Sequence, residues 1–274
     1  MTAWQPRLVA LDIDGTLLAW IDGEGQTYEE IRPAVYAAIH RAAAAGAHVV
    51  LSSGRSPHGM TRIADLLELH QDEGDPLWIV AANGAVVLRY PPVDVIHEET
   101  FDAAPAVAAV LEHHPNALVA VEERGRGYRV NRHFPDGELT GEMIITDVDD
   151  IVAKPVSRVI IRDPEATSDD FVDLAAKLGL HSIGYVVGWT AWLDLTPKGV
   201  HKASGLQKVA DELGIEPADV LAIGDGRNDI EMLEWAGRGV AMGQAIEEVR
   251  AAADHVTGTV YDDGVAQERS RWFP

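Results

Sequence analysis

Three short apolar runs open the chain: Leu8-Val9-Ala10-Leu11, Val49-Val50-Leu51-Ser52 and Trp78-Ile79-Val80-Ala81-Ala82. A strand that reads apolar on both faces is buried on both faces, which is the habit of parallel sheets. Parallel neighbours need a long crossover, usually a helix. Residues 29–45 read as that helix, with Pro33 in its first turn and Gly46 as its stop. Residues 57–69 read as the next one. The β-α-β-α-β order predicts a doubly wound parallel α/β sheet.

The same habit returns late in the chain. Helical patterns at 200–213, 229–236 and 245–252 alternate with strands at Val220-Leu221-Ala222-Ile223, 239–242 and 254–257. Between the two α/β stretches the strands shorten and alternate, at 85–89, 117–122, 127–131, 156–162, 183–187 and 190–195, with helices at 103–114 and 168–178. The reading is a split core, residues 1–84 and 194–274, with an α+β domain inserted at 85–193. The insert is expected to be an antiparallel sheet with helices on one face.

Composition narrows the function. The chain has 274 residues, 47% hydrophobic and 24% charged, which suits one large domain or two medium ones. No apolar stretch reaches membrane-spanning length, and residues 1–20 lack a signal-peptide pattern, so a cytoplasmic protein is expected. With no Cys, disulfides and thiol chemistry are excluded. A net charge of −22 argues against a nucleic-acid binder. An anionic substrate would need local cations to reverse the field. The sequence leaves a monomer and a small homo-oligomer open.

Four places share one address, a core strand's carboxyl end or the start of the following helix: Asp12/Asp14, Ser53, Lys202 and Asp225/Asp229. Ligands of open α/β sheets bind at that edge. Asp12-Ile13-Asp14-Gly15 alone also fits a solvated turn. A calcium loop fails, because Ala19, Trp20 and Asp22 do not continue its ligand ladder. Acids gathered at one sheet edge repel each other, and a divalent metal resolves that. Oxygen ligands without Cys or a His pair favour Mg²⁺ over zinc. A lysine and a hydroxyl in the same cleft suit a phosphoryl group.

In order, Asp-x-Asp-Gly-Thr, a strand ending in Ser53-Gly54-Arg55, Lys202 and Gly224-Asp225-Gly226-Arg227-Asn228-Asp229 resemble the haloacid dehalogenase superfamily of phosphatases. The insert lies between the Ser53 and Lys202 motifs, as in the type II cap arrangement. The flanks Asn83-Gly84-Ala85, Thr196-Pro197-Lys198-Gly199-Val200-His201-Lys202, Val240-Ala241-Met242-Gly243 and Asp263-Gly264-Val265-Ala266 look like the Cof-type, class IIB branch.

The resemblance implies roles. Asp12 is the nucleophile that forms an aspartyl-phosphate and also binds Mg²⁺. Asp14 is the general acid/base, and its main-chain carbonyl is a further metal ligand. Ser53 and the Gly54 N–H hold phosphoryl oxygens, and Arg55 is a candidate substrate contact. Lys202, rather than Lys198, neutralises the nucleophile and phosphate. Asp225 is a direct ligand, while Asn228 and Asp229 orient metal waters and the lysine. Asp229 also belongs to the candidate metal set. Gln244 stands where many relatives carry Asn and is read as a local loop change.

The expected activity is Mg²⁺-dependent hydrolysis of a small phosphorylated metabolite, a sugar phosphate being one candidate. A sugar phosphomutase and a non-catalytic metabolite-binding homologue are the alternatives. Substrate choice is expected to come from the cap. Glu122–Arg129 reads as a solvated hairpin or a substrate loop, Trp189 and Trp192 as packing residues, and His113, His114 and His181 as surface residues.

Overall fold

The computed structural model describes residues 4–21, 27–69, 76–124, 126–178, 183–187 and 191–273. It divides into two compact units. The first comprises Met1–Arg55, Gly59–His97 and His201–Pro274, and the second Ser56–His58 and Glu98–Val200.

The first unit begins as the apolar runs dictate. Strand β1 (Leu8–Leu11) is buried at every position. Helix α1 (Pro33–Ala44) starts four residues later than expected. A residue before proline is pushed to extended backbone. Arg32 is held there, at φ −59 and ψ 139, so the helix begins at Pro33 itself. Strand β2 (His48–Ser52), helix α2 (Pro57–Leu67) and strand β3 (Leu77–Ala81) follow. Leu8 aligns with His48 on one side and with Val220 on the other, both in parallel register. Strand β4 (Val86–Tyr90) turns back antiparallel onto β3, and β5 (Asp94–Glu98) forms the sheet's edge. This hairpin moves the division of the chain. The expected insert start at residue 85 falls inside the core sheet, because β4 and β5 pair with it.

The second unit contains helix α3 (Ala104–His113), strands β6 (Leu118–Glu123), β7 (Gly127–Val130) and β8 (Glu142–Ile145), helix α4 (Val148–Ile151), strand β9 (Val159–Arg162), helix α5 (Ser168–Leu178), and strands β10 (Ile183–Val187) and β11 (Trp192–Pro197). Its sheet runs β10-β11-β9-β6-β7-β8. It is mixed rather than wholly antiparallel, because β8 pairs parallel with β7. Strand alternation sends Val119 and Val121 into a cluster with Val107, Ile161 and Phe171. Leu118 and Ala120 point the other way, against Tyr128, Val130 and Ile160. Among the elements with no counterpart in the sequence pattern are β5, β8 and α4. They are short and largely unburied, so they carry little hydrophobic period.

The chain then re-enters the first unit with helix α6 (Lys202–Leu213), strand β12 (Val220–Gly224), helix α7 (Ile230–Trp235), strand β13 (Arg238–Ala241), helix α8 (Glu247–Ala252), strand β14 (His255–Val256) and helix α9 (Gly264–Arg269). His201 caps α6: its ring accepts the Ser204 N–H, and the Ser204 hydroxyl accepts the His201 N–H. The core sheet runs β14-β13-β12-β1-β2-β3-β4-β5. β1 and β12 lie side by side at its centre, so their carboxyl ends deliver Asp12 and Asp225 to neighbouring positions. Among the described residues, no helix is long and apolar enough to cross a membrane.

Candidate active site

The acids predicted at separate strand ends meet. Asp12, Asp225 and Asp229 are buried, and one ligand atom from each lies within 4.8 Å of the others. Lys202 is fully buried among them. Its Nζ donates to Asp12 Oδ1 and to Asp229 Oδ1, each at 2.6 Å. Lys198, the competing lysine, is exposed.

Asp229 serves mainly to hold its loop. Its second oxygen accepts the amides of Asp225 (2.9 Å) and Gly226 (2.8 Å). Asp225 Oδ1 accepts the Thr16 hydroxyl at 3.2 Å. Gly15 lets the β1 loop pass this close: it sits at φ +87, and a Cβ there would lie 2.2 Å from Asp225 Oδ2. Gln244 donates to the Gly15 carbonyl at 2.5 Å and accepts the Val260 amide at 3.0 Å. It therefore ties the loop after β1 to the loop before α9.

Asp14 faces a different set of partners. Arg55 forks onto it, Nε to Oδ2 at 2.9 Å and Nη2 to Oδ1 at 2.5 Å. Thr27 donates to Asp14 Oδ1 at 3.2 Å and accepts from Arg55 at 3.1 Å. Arg55, a candidate substrate contact by its sequence position, is thus bound to the candidate acid/base. Ser53 is buried at the end of β2, where its hydroxyl accepts the Arg55 amide at 3.2 Å. Asn228 donates to Asn83 Oδ1 at 3.0 Å.

Electrostatics follow from burial. Removal from water, then the Asp229 charge, pushes the Asp12 carboxyl up to about 7, against the pull of Lys202. Burial, then Asp12 and Asp229, hold Asp225 well above the ordinary carboxylate range. Burial works against the Lys202 charge, but Asp12 and Asp229 outweigh it and hold the lysine above its ordinary value. Three clustered carboxylates with one lysine are short of positive charge.

Sequence reasoning misses Thr27, Asn83 and the role of Gln244. Thr27 lies in no motif. Asn83-Gly84 carries a strong hairpin-turn signal, and a hairpin turn it is, but that signal hides the contact to Asn228. In the second unit, Arg124, Arg126 and Arg129 pair with Glu98, Glu142 and Glu123, as a solvated hairpin would. Gly125, His181 and Trp189 lie outside the described residues. Trp192 packs edge-on to Phe134 and donates to Asp194. His114 departs from the surface reading: it is half-buried, stacks on Phe171 and sits 2.8 Å from Asp163.

Carboxylates, a buried lysine and a strand-end serine loop at one sheet edge define a phosphoryl-transfer site in an α/β core. The family model for haloacid dehalogenase-like hydrolases matches residues 9–268. The chain belongs to that family and is a phosphoric monoester hydrolase of its phosphatase type. It is 29% identical to the 5-amino-6-(5-phospho-D-ribitylamino)uracil phosphatase YitU of Bacillus subtilis, over 98% of each chain. It is 31% identical to a phosphoglycolate phosphatase of Natronomonas pharaonis, over 96% of each. Its fold resembles that of the subclass IIB sugar phosphatase BT4131, with a TM-score of 0.79 and 24% identity, covering 97% of this chain and 98% of that one.

Proposed function

We propose that this chain hydrolyses a small phosphorylated metabolite, with sugar phosphates the leading class, through an aspartyl-phosphate on Asp12. The observation that carries this is Lys202, buried between Asp12 and Asp229 at 2.6 Å from each, with Asp225 alongside.

The donor set fits Mg²⁺. It is all oxygen, and burial together with mutual repulsion has raised two of its carboxyls. Asp12 and Asp225 would hold the ion, with the Asp14 carbonyl, while Asp229 fixes Lys202 and the 225–226 amides. A bound divalent ion supplies positive charge to the phosphoryl oxygens.

The residues themselves do the rest. An oxygen of Asp12 attacks phosphorus, and the bond from phosphorus to the leaving oxygen breaks. That oxygen takes a proton from Asp14. Asp14 then removes a proton from water, which attacks the aspartyl-phosphate and releases inorganic phosphate. Ser53 and the Gly54 N–H hold the phosphoryl oxygens, and Lys202 offsets their charge.

The test is phosphate release from a panel of phosphorylated metabolites and an aryl phosphate, with Mg²⁺ and with EDTA. Turnover is expected with Mg²⁺ only, and Asp12→Asn is expected to abolish it. Full activity of Asp12→Asn would refute the nucleophile assignment. Isomer formation from hexose phosphates without phosphate release would favour a mutase instead.

A further inference from the structure

The turn between β3 and β4 is strained. Ala82 and Asn83 both adopt left-handed backbone, at φ 51 and φ 53, and Gly84 follows at φ 101. Left-handed non-glycine residues cost on the order of 1 kcal/mol or more and persist where their surroundings over-determine them. Here the surroundings are the candidate site.

Three functional segments converge on this turn. The Ala82 amide donates to the Arg55 carbonyl at 2.8 Å, and the Asn83 amide donates to the Ser53 carbonyl at 3.1 Å. The turn therefore grips both ends of Ser53-Gly54-Arg55. A Cβ on Gly54 would lie 3.1 Å from Asn83 Oδ1, so the Asn83 amide packs directly on the Gly54 backbone. The same Oδ1 accepts Asn228 Nδ2 at 3.0 Å. On the other side, a Cβ on Gly84 would lie 2.1 Å from the carbonyl oxygen of His201, the residue before Lys202. Only glycine allows α6 to start so close.

We propose that Asn83 is a positioning residue for phosphate binding. Its buried amide sets the distance between the Ser53-Gly54 loop and Asn228, and the strained backbone holds it there. The inference rests on the phosphatase reading and extends it to a residue that contacts no reacting atom. The competing account is conformational: asparagine tolerates left-handed backbone, and the hairpin needs nothing more.

Asn83→Gly separates the two accounts. Glycine adopts the same φ without strain, so the turn keeps its shape and loses only the amide. The expected result is a thermal midpoint within a few degrees of the wild type. Inorganic phosphate, titrated calorimetrically with Mg²⁺ present, is expected to bind at least tenfold more weakly. KM for an aryl phosphate is expected to rise more than kcat falls. Phosphate affinity equal to that of the wild type in a folded Asn83→Gly protein would overturn the proposal.

Asn83→Asp covers the case in which the glycine variant is too unstable. It tolerates the same backbone and keeps an acceptor for Asn228, but places a negative charge against Gly54. Weakened phosphate binding supports the proposal, and unchanged binding overturns it. The titration does not depend on turnover. A wild-type chain that binds phosphate yet hydrolyses nothing would reject the phosphatase reading, while the Asn83 comparison still decides its own question.

Discussion

Lys202→Met tests the electrostatic account of the site. The ammonium lies 2.6 Å from one oxygen of Asp12 and 2.6 Å from one oxygen of Asp229, and none of its side chain meets solvent. At an effective dielectric of about 20, each contact is worth about 6 kcal/mol of attraction. Desolvation of the ions takes back several kcal/mol each. Removing the cation strands carboxylates that repel each other, and losing one partner of a buried pair costs about 3–5 kcal/mol. For a chain of this size the thermal midpoint should fall by about 6–20 °C. The loss should also depend on pH. Asp12 is already pushed up to about 7, so folding favours its protonated form. A carboxyl raised on folding gives its full stability below its unfolded pKa of about 4 and loses it as pH rises through the folded value. Without Lys202 the Asp12 carboxyl rises further. The gap between variant and wild type should therefore be widest near pH 8 and narrow near pH 5.5. The assay is urea or thermal unfolding in EDTA at both pH values. A gap below about 1 kcal/mol at pH 8, or one equal at the two pH values, would refute the picture of an occluded lysine binding the acid cluster.

Two other positions carry predictions of opposite origin. Burial pushes the Glu122 carboxyl up to about 7, against a hydrogen bond from the His58 backbone and the pull of Arg158, and its Oε1 has no hydrogen-bond partner among the described residues. Stability from this group is full below about pH 4 and falls as pH rises to about 7, so Glu122→Gln should gain about 2 kcal/mol at pH 8 and nothing at pH 4; a gain of the same size at both pH values would contradict this. Arg269 is buried in α9 over the Phe273 ring, its three guanidinium nitrogens have no hydrogen-bond partner among the described residues, and burial lowers its pKa to about 10. Replacing an uncompensated buried charge with an apolar chain removes that penalty, so Arg269→Met should raise stability by about 1–3 kcal/mol in urea unfolding; destabilisation would show that the guanidinium has a partner in solution.

What is legible in the sequence follows from locality. The core strands announce themselves through unbroken apolar runs, and Asp12 and Asp225 sit one and two residues past such runs. The strand pattern by itself therefore places Asp12 and Asp225 at one edge. It does not yield the Arg55–Asp14 pair, because nothing local links residues 14, 27 and 55. Asn83 shows a different limit. One residue satisfies a turn and a tertiary contact at once, and the turn is the louder signal. The division of the chain is misplaced for a third reason. Residues 85–89 alternate in the manner of the insert, but β4 finds its partner in β3 through a four-residue turn. Pairing, not pattern, decides where the core sheet ends.

The local charge of the site resolves the conflict posed by a chain with a net charge of −22 and an anionic substrate. Asp14 is matched by Arg55 and drops out of the balance. Asp12, Asp225 and Asp229 remain, with Lys202 the one cation bonded to them among the described residues. With all three acids ionised, two negative charges are left over among buried side chains; burial first, and then this mutual repulsion, hold the Asp12 and Asp225 carboxyls above the ordinary range. One divalent cation held by these carboxylates would offset the excess. It also allows Asp12 to be ionised at neutral pH, the form in which it can attack phosphorus. The raised carboxyls and the expected loss of activity in EDTA are thus two consequences of one charge deficit. If EDTA left turnover intact, Asp12 would have to ionise without the cation's help, and activity would then rise as pH is raised through about 7.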